Sequence, residues 1–426
     1  MANKAYSGYL NPKYIPRADL VAAFFVQPAA RVSFEEAAQA VASESSIGTW
    51  TSVSTLGGRM KAKLHARVFS LDKRTGIAKI AYPLELFEKG NVPQLMSSIA
   101  GNIFGMKEVK KLRLLDINFP NRYIRSFRGP AFGIRGIRKI LRVQKRPLLG
   151  TIVKPKLGLG PREHAAVAEQ AWLGGCDIVK DDENLSSMRF NPFEKRLRHT
   201  LRLRDRAEKI TGEKKAYMPN VTAPFSEMMK RAKLVKRLGC EYAMVDIVTV
   251  GWSALQELRD ADLGLVLHAH RAGHAAFTRN QKHGISMLVL GKLCRLIGMD
   301  QLHVGAIFGK MHGSRKSVKA VGEEIEDTIV RKGKGHILSE NWLHIKPTLA
   351  VCSGGLHPGR ISPLVKAMGN DIVIQLGGGI HGHPLGTRHG AIAAKQALTA
   401  TLKDIPLSYA AMKHFELALA LRKWGN

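Results

Sequence analysis

The stretch PLLGTIVKPKLGLGPREHAAVAEQAWLGGCDIVKDDE, residues 147–183, contains two short β-rich runs, PLLGTIVKPK and CDIVKDDE, separated by a segment with helical periodicity. Both runs end in charged residues. The same beat continues through AYMPNVTA, EYAMVDIV, LGLVLHAH, QLHVGAIFGK, PTLAVCSGG and DIVIQLGGG. Helix candidates such as SEMMKRAKLVKRLG, ISMLVLGKLCRLIG and GTRHGAIAAKQALTATL lie between these runs, and several stop at glycine as helix C-termini do. Eight such units in about 260 residues match a (β/α)8 TIM barrel in count and length. Upstream of about residue 130 the beat is missing. Helix candidates FEEAAQAVASES and VPQLMSSIAGNIFG mix there with strand candidates KLHARVFSLD and GIAKIAYPLEL. The expected architecture is α/β: an N-terminal α+β (ferredoxin-like) domain over residues 1–130 and a barrel over 131–426. Glycine and proline in SFRGPAFGIRG mark the boundary.

The chain has 426 residues, 45% of them hydrophobic, enough for one large barrel or two domains and too many for a disordered chain. No apolar run reaches signal-peptide or membrane-span length, so a soluble cytoplasmic protein with no membrane association is expected. Cys176, Cys240, Cys294 and Cys352 form no C-x-x-C pair and read as reduced core thiols. The net charge of +32 is the unusual number. Basic residues recur from Lys107 to Arg146 and along EKRLRHTLRLRDRAEK, a very basic helix. They are dispersed, with little of the aromatic interleaving that stacks on single-stranded bases. Solvated helix faces that draw in anionic metabolites are the favoured reading, with a polyanion or nucleic-acid partner as the alternative.

Active sites of such barrels sit at the C-terminal strand ends. Here those ends carry Lys154 and Lys156 (first run), Lys180, Asp181, Asp182 and Glu183 (second), His268, His270, Arg271 and His274 (fifth), and His303 and Lys310 (sixth). Ser353, Gly354 and Gly355 follow the seventh run, and Gly377, Gly378 and Gly379 the eighth. Two carboxylates at one strand end suit Mg2+, a hard cation that favours oxygen. A third anionic oxygen arises if CO2 adds to the Lys180 amine as a carbamate, and lysine suits this because its pKa falls readily when buried. The glycine-rich seventh and eighth loops occupy the phosphate-gripping positions of such barrels. Arg271, His303 and Ser353 suggest a second anion site, hence a ligand with phosphate at both ends.

GTIVKPKLGL, GGCDIVKDDENL, HAHRAGHAAFTRNQKHGIS, HVGAIFGK, SGGLHPG and QLGGGIHGHP closely resemble the successive signatures of ribulose-1,5-bisphosphate carboxylase/oxygenase (RuBisCO) large chains. ESSIGTW and GNIFGMK extend the resemblance into the N-terminal part, and the wording looks most like the archaeal form III group. The resemblance implies a Mg2+-dependent carboxylase of ribulose 1,5-bisphosphate with an oxygenase side reaction, serving AMP or nucleoside salvage. Lys180 would be the CO2-carbamylated lysine, with Asp182 and Glu183 as the other metal ligands. Lys154 would move protons, Lys156 would tune it, His270 would assist, and Lys310 would close over the substrate on loop six. One phosphate would rest on Arg271, His303 and Ser353, and the other on Thr49, Trp50, Gly355, Gly377 and Gly378, with Gly354 in the same loop. Glu44 and Asn102 would come from the N-terminal domain, and Glu44, Thr49 and Trp50 would reach the neighbouring subunit's site. A homodimer or higher homo-oligomer with shared sites and no small subunit follows. Gly273, His312 and the run from Ala306 to Phe308 depart from the family pattern, and imply a slow enzyme with a poor preference for CO2 over O2.

Three other readings compete. A RuBisCO-like enolase or isomerase of sulfur salvage would share the barrel and the K-D-D-E cluster, but such relatives lose residues equivalent to Glu44, Asn102, Lys154 and Lys310. A basic polyanion-binding protein with a secondary or lost catalytic role would predict an eroded site. A carbamylated-lysine amidohydrolase needs H-x-H on the first strand, whereas here it follows the fifth.

Overall fold

The computed structural model describes residues 6–51, 53–308, 314–333 and 335–425. The chain divides into two compact units at Arg128–Gly129, within SFRGPAFGIRG. The sequence reading runs the barrel without a break from 131 to 426. In the structure, Gly273–Ile297 and Asp327–Ile345 belong instead with the N-terminal unit.

The first unit is built on a five-stranded sheet in the order Gly284–Ile285, Val109–Asn118, Leu20–Pro28, Ile77–Tyr82, Arg67–Asp72. Its pairings are antiparallel except at Gly284–Ile285, which runs parallel to Val109–Asn118. The helix Phe34–Glu44 opens with a capping box: Ser33 Oγ accepts from the Glu36 N–H, and the Ser33 N–H donates to Glu36 Oε2. The second helix candidate stops early, at Ile99, because Gly101 turns the chain where a Cβ would lie 2.2 Å from the Ser97 carbonyl oxygen. Asn102 therefore begins a separate 3-10 turn.

Why ISMLVLGKLCRLIG leaves the barrel is visible in its charge. Lys292, fully buried on the helix Met287–Ile297, pairs with Asp116 at 2.8 Å and lies 3.7 Å from Glu340. A buried ammonium ion needs such partners, and the first unit supplies them.

The second unit is an eight-stranded parallel barrel. In chain order its strands are Leu148–Ile152, Ile178–Lys180, Ala216–Met218, Tyr242–Asp246, Val266–His270, Gln301–His303, Leu349–Ser353 and Ile372–Leu376. Each falls inside one of the eight runs read from the sequence. Closure between the third and fourth comes just past the third, where the Met244 N–H donates to the Pro219 carbonyl and the Val221 N–H to that of Met244. The helix Gly133–Leu141 plugs the N-terminal mouth. Its Ile134, Ile137 and Leu141 pack with residues that begin the strands, among them Leu148, Ile178, Ala216 and Tyr242. The opposite mouth is thus left for chemistry.

The basic helix, Phe193–Thr211, is less solvated than its composition suggests. Arg196 and Arg204 are buried, Arg204 pairs with Asp205 and Glu241, and Arg206 with Glu169. All four cysteines are buried and unbonded. Among the described residues no helix is long and apolar enough to cross a membrane.

Gly174, which caps the helix Pro161–Leu173, lies against the helix Thr387–Leu402. A Cβ there would sit 2.4 Å from the Arg388 carbonyl oxygen and 2.6 Å from Ala391 Cβ. Gly174→Ala should force the two helices apart at a cost of about 1–3 kcal/mol, read as a lower urea midpoint with an unchanged slope.

Candidate active site

Lys180 ends the second barrel strand with a relative exposure of 1%. Its Nζ donates to the Asp181 carbonyl at 2.8 Å, touches Met244 Sδ at 3.3 Å and lies 3.7 Å from Glu183 Oε2. Burial drives its pKa down against the pull of Glu183, Asp182, Asp246 and Asp181. The shift is toward the neutral, nucleophilic amine.

The three acids after Lys180 have three different environments. Asp181 points into the structure: Arg196 Nε donates to it at 3.1 Å, Tyr217 Oη and the Asn220 N–H donate as well, and His164 Nε2 lies 3.1 Å away. Burial alone would raise its pKa, but Arg196, His164 and Tyr217 hold the carboxyl well below the usual range. Asp182, also buried, accepts from Lys154 Nζ and from the Asn184 N–H. Glu183 remains partly exposed, and Lys180, His270 and Lys154 overcome its desolvation to bring it down to about 2. Glu183 is therefore the carboxylate near the Lys180 amine, and Asp182 the one paired with Lys154. Among the described residues no three His, Cys, Asp or Glu side chains form a metal-binding group. Two carboxylates next to Lys180 make the donor set that a lysine carbamate would complete with oxygen, so Lys180, Asp182 and Glu183 fit a hard divalent cation.

Neighbouring strand ends complete the mouth. Lys154 follows the first strand, and its Cε lies 3.4 Å from where a Cβ on Gly377 would stand, so its stem runs along the eighth loop. Lys156 is exposed and reaches Asn184 Oδ1 at 3.4 Å. His270 closes the fifth strand with Nδ1 2.7 Å from Asp246 Oδ1 and Nε2 3.6 Å from Glu183. Arg271 is half-buried and loss of hydration pulls its guanidinium down to about 10. Among the described residues it has no ion-pair partner, so an anion is what it lacks. Glycine at 305, with φ +106°, makes room for it: a Cβ would lie 2.7 Å from Arg271 Nη2.

His303 sits within a chain of hydrogen bonds. Its Nδ1 is 2.7 Å from Ser353 Oγ, its Nε2 is 2.9 Å from His268 Nε2, and His268 Nδ1 is 2.7 Å from Gln301 Oε1. A nitrogen-to-nitrogen bond needs one donor and one acceptor, so the accepting ring must be neutral. Burial favours the neutral form of both, holding His268 at about 3 and His303 well below the usual histidine range. Beyond Ser353, Gly354 and Gly355 adopt φ of 111° and 79°, which L side chains rarely do.

A family model for the ribulose bisphosphate carboxylase large chain, catalytic domain, matches residues 133–424, and one for its N-terminal domain matches residues 8–123. The chain belongs to the RuBisCO large-chain family. A ribulose bisphosphate carboxylase of Methanosarcina acetivorans is 51% identical over 98% of both chains, and one of Methanocaldococcus jannaschii is 47% identical over 98% of this chain and 99% of the relative. Among solved structures, a dimeric archaeal Rubisco from Hyperthermus butylicus superposes with a TM-score of 0.93 at 44% identity, covering 99% of each chain. An octameric Rubisco from Pyrococcus horikoshii gives 0.92 at 47%, covering 99% of this chain and 97% of that one.

The barrel of this RuBisCO large chain thus brings together Lys154, Lys180, Asp182, Glu183, His270, Arg271, His303, Ser353 and Gly377. Glu44, Thr49, Trp50 and Asn102 belong to the other compact unit, Glu44 as the last residue of its first helix and Trp50 with its side chain exposed. Lys310 and His312 lie outside the described residues. The sequence reading assigned no part to Asp246 or Gln301. Both point into the barrel on period-two positions of their strands, the signal that would have found them.

Replacing Asp246 tests its hold on His270. Asp246→Asn should lower kcat by roughly ten- to a hundredfold with little change in KM, since a ring freed to rotate loses orientation and not substrate contact. Recovery in Asp246→Glu would separate orientation from folding.

Proposed function

We propose that this chain is a ribulose-1,5-bisphosphate carboxylase, with an oxygenase side reaction, that converts one bisphosphate, one CO2 and one water into two molecules of 3-phosphoglycerate. The observation that carries this reading is the buried Lys180 amine, 3.7 Å from Glu183, in a barrel mouth that also holds Asp182 and Arg271, the latter with no ion-pair partner among the described residues. The names of the relatives support the same chemistry.

Lys180 adds through its nitrogen to CO2 and releases a proton, forming a carbamate. Mg2+, held by that carbamate, Asp182 and Glu183, would supply Lewis acidity at the substrate oxygens. The carbamate takes the C3 proton of the ketose, C2 of the resulting enediol attacks CO2, and water adds at C3. The C2–C3 bond then breaks, and Lys154 protonates the C2 carbanion. His270, steered by Asp246, handles protons at the hydroxyls. Lys310 would steady the new carboxylate. Arg271, His303 and Ser353 hold one phosphate. Gly355, Gly377 and Gly378, with Thr49 and Trp50 from a partner subunit, hold the other, so a homodimer is the minimum active unit. Resemblance to the archaeal form supports an origin of the substrate in nucleoside monophosphate salvage.

Purified protein incubated with Mg2+, labelled bicarbonate and ribulose 1,5-bisphosphate should yield labelled 3-phosphoglycerate. An unlabelled product together with isomerisation of a sulfur-bearing sugar phosphate would favour the sulfur-salvage reading instead. Mixing Glu44→Gln and Lys180→Met subunits should recover roughly a quarter of wild-type activity, because half of randomly paired dimers are hybrids and each hybrid has one intact site. No recovery despite demonstrated subunit exchange would remove the shared-site part of the proposal.

A further inference from the structure

The seventh loop, which the proposed function assigns to both phosphates through Ser353 and Gly355, and the eighth, assigned to one, are in direct contact. A Cβ on Gly379 would lie 2.2 Å from the Leu356 carbonyl oxygen and 2.7 Å from His357 Cα, so only glycine permits the approach. A third element touches both. The helix Phe415–Trp424 places the Trp424 ring on the His357 ring of the seventh loop, with centroids 6.1 Å apart and planes tilted by 34°. On the eighth loop, Lys423 Nζ donates to the Gly382 carbonyl at 2.6 Å, and Trp424 Cζ2 would stand 3.4 Å from a Cβ on Gly382. His383 Nε2 donates to the Glu416 carbonyl at 3.0 Å.

The helix is itself anchored. Leu417 and Ala420 are buried, Gln396 Nε2 donates to Glu416 Oε2 at 2.9 Å, and the Leu417 N–H donates to Gln396 Oε1 at 3.0 Å. It is therefore tied to the helix Thr387–Leu402, which follows the eighth loop.

We infer that this helix is a brace that fixes the spacing between the two phosphate cradles, with Trp424 and Lys423 as positioning residues that make the site selective for a bisphosphate of one length. The inference rests on the two-phosphate reading of the site. Its physical basis is that of any bivalent contact: the second phosphate binds at an effective concentration set by how well the cradle spacing matches the ligand, and slack between the cradles spends that gain while leaving each one intact.

The test measures binding and needs no turnover. Ribitol 1,5-bisphosphate and ribitol 5-phosphate are titrated calorimetrically into the wild-type protein and into Trp424→Ala, Trp424→Phe and Lys423→Met. The readout is the ratio of the two affinities. In Trp424→Ala the preference for the bisphosphate should shrink about tenfold or more, and in Lys423→Met, an exposed position where folding is safe, by about two- to threefold. Trp424→Phe, which keeps a ring against His357, should restore most of it. An unchanged ratio in both Trp424→Ala and Lys423→Met overturns the brace, even if both affinities fall together, because proportional loss is what general loosening of the fold produces. If wild type shows no preference for the bisphosphate, the two-phosphate reading fails first and takes the inference with it.

Discussion

Lys180→Met should abolish carboxylation at every CO2 concentration, a loss of at least about a thousandfold, while leaving the protein as stable as wild type. The two halves of this expectation have separate causes. Activity goes because Asp182 and Glu183 alone leave a divalent cation short of anionic oxygens, and because the carbamate is also the proposed base at C3. Stability stays because the amine is buried, is driven toward its neutral form and already touches the thioether of Met244. A methionine of similar length fits that surrounding, and exchanging a desolvated amine for an apolar group costs little or helps. Labelled-bicarbonate assays over a CO2 series, with a thermal midpoint for each protein, give both numbers. Substantial activity in the variant would remove the carbamate from the mechanism. A collapse in the midpoint would instead make Lys180 part of the framework.

Arg196→Ala should be costly in the opposite way, destabilising the barrel by about 3–5 kcal/mol, because it leaves Asp181 charged, buried and without its principal partner. Asp181 has a folded pKa below its unfolded value, so its contribution to stability is fully present above the ordinary aspartate pKa of about 3.9 and fades as pH falls through the lower folded value. At neutral pH wild type holds all of it. Without Arg196, desolvation dominates and the folded pKa moves above the unfolded one, so the variant gains stability relative to wild type as pH falls. Urea unfolding at pH 7.5 and pH 5 should show the deficit shrinking at the lower pH. Adding Asp181→Asn should recover part of the loss. A deficit independent of pH would mean that lost packing around Arg196, and not the stranded carboxylate, is the cause.

These two residues show what a motif hides. In K-D-D-E the acids look equivalent, yet Asp181 is bound by Arg196, Tyr217 and Asn220, while Asp182 pairs with Lys154 and Glu183 lies near the Lys180 amine. The acids follow the strand Ile178–Lys180, where period-two alternation no longer sets direction, and only the surrounding side chains decide which carboxylate is structural. Basic composition misleads in the same way. Arg138 pairs with Asp371 and Lys292 with Asp116, so part of the cationic excess read as solvated surface is interior framework.

The sequence by itself pointed to the barrel, because eight apolar runs of strand length alternating with helical segments bury their apolar faces in a parallel sheet covered by helices, and their number and length match a closed barrel. It determined most of the barrel's share of the site as well, since residues that end barrel strands must point into one mouth, and Lys154, Lys180, His270, His303 and Ser353 all do. The tertiary structure alone decided that Met287–Ile297 joins the first unit, because Lys292 needs carboxylates that lie far away in sequence on Asp116 and Glu340. It decided that Asp246 steers His270 and that Gln301 ends the histidine chain, and that the helix Phe415–Trp424 binds two loops to each other. Local periodicity records which face of an element is buried. Which partner meets that face depends on distances the chain acquires only when it folds.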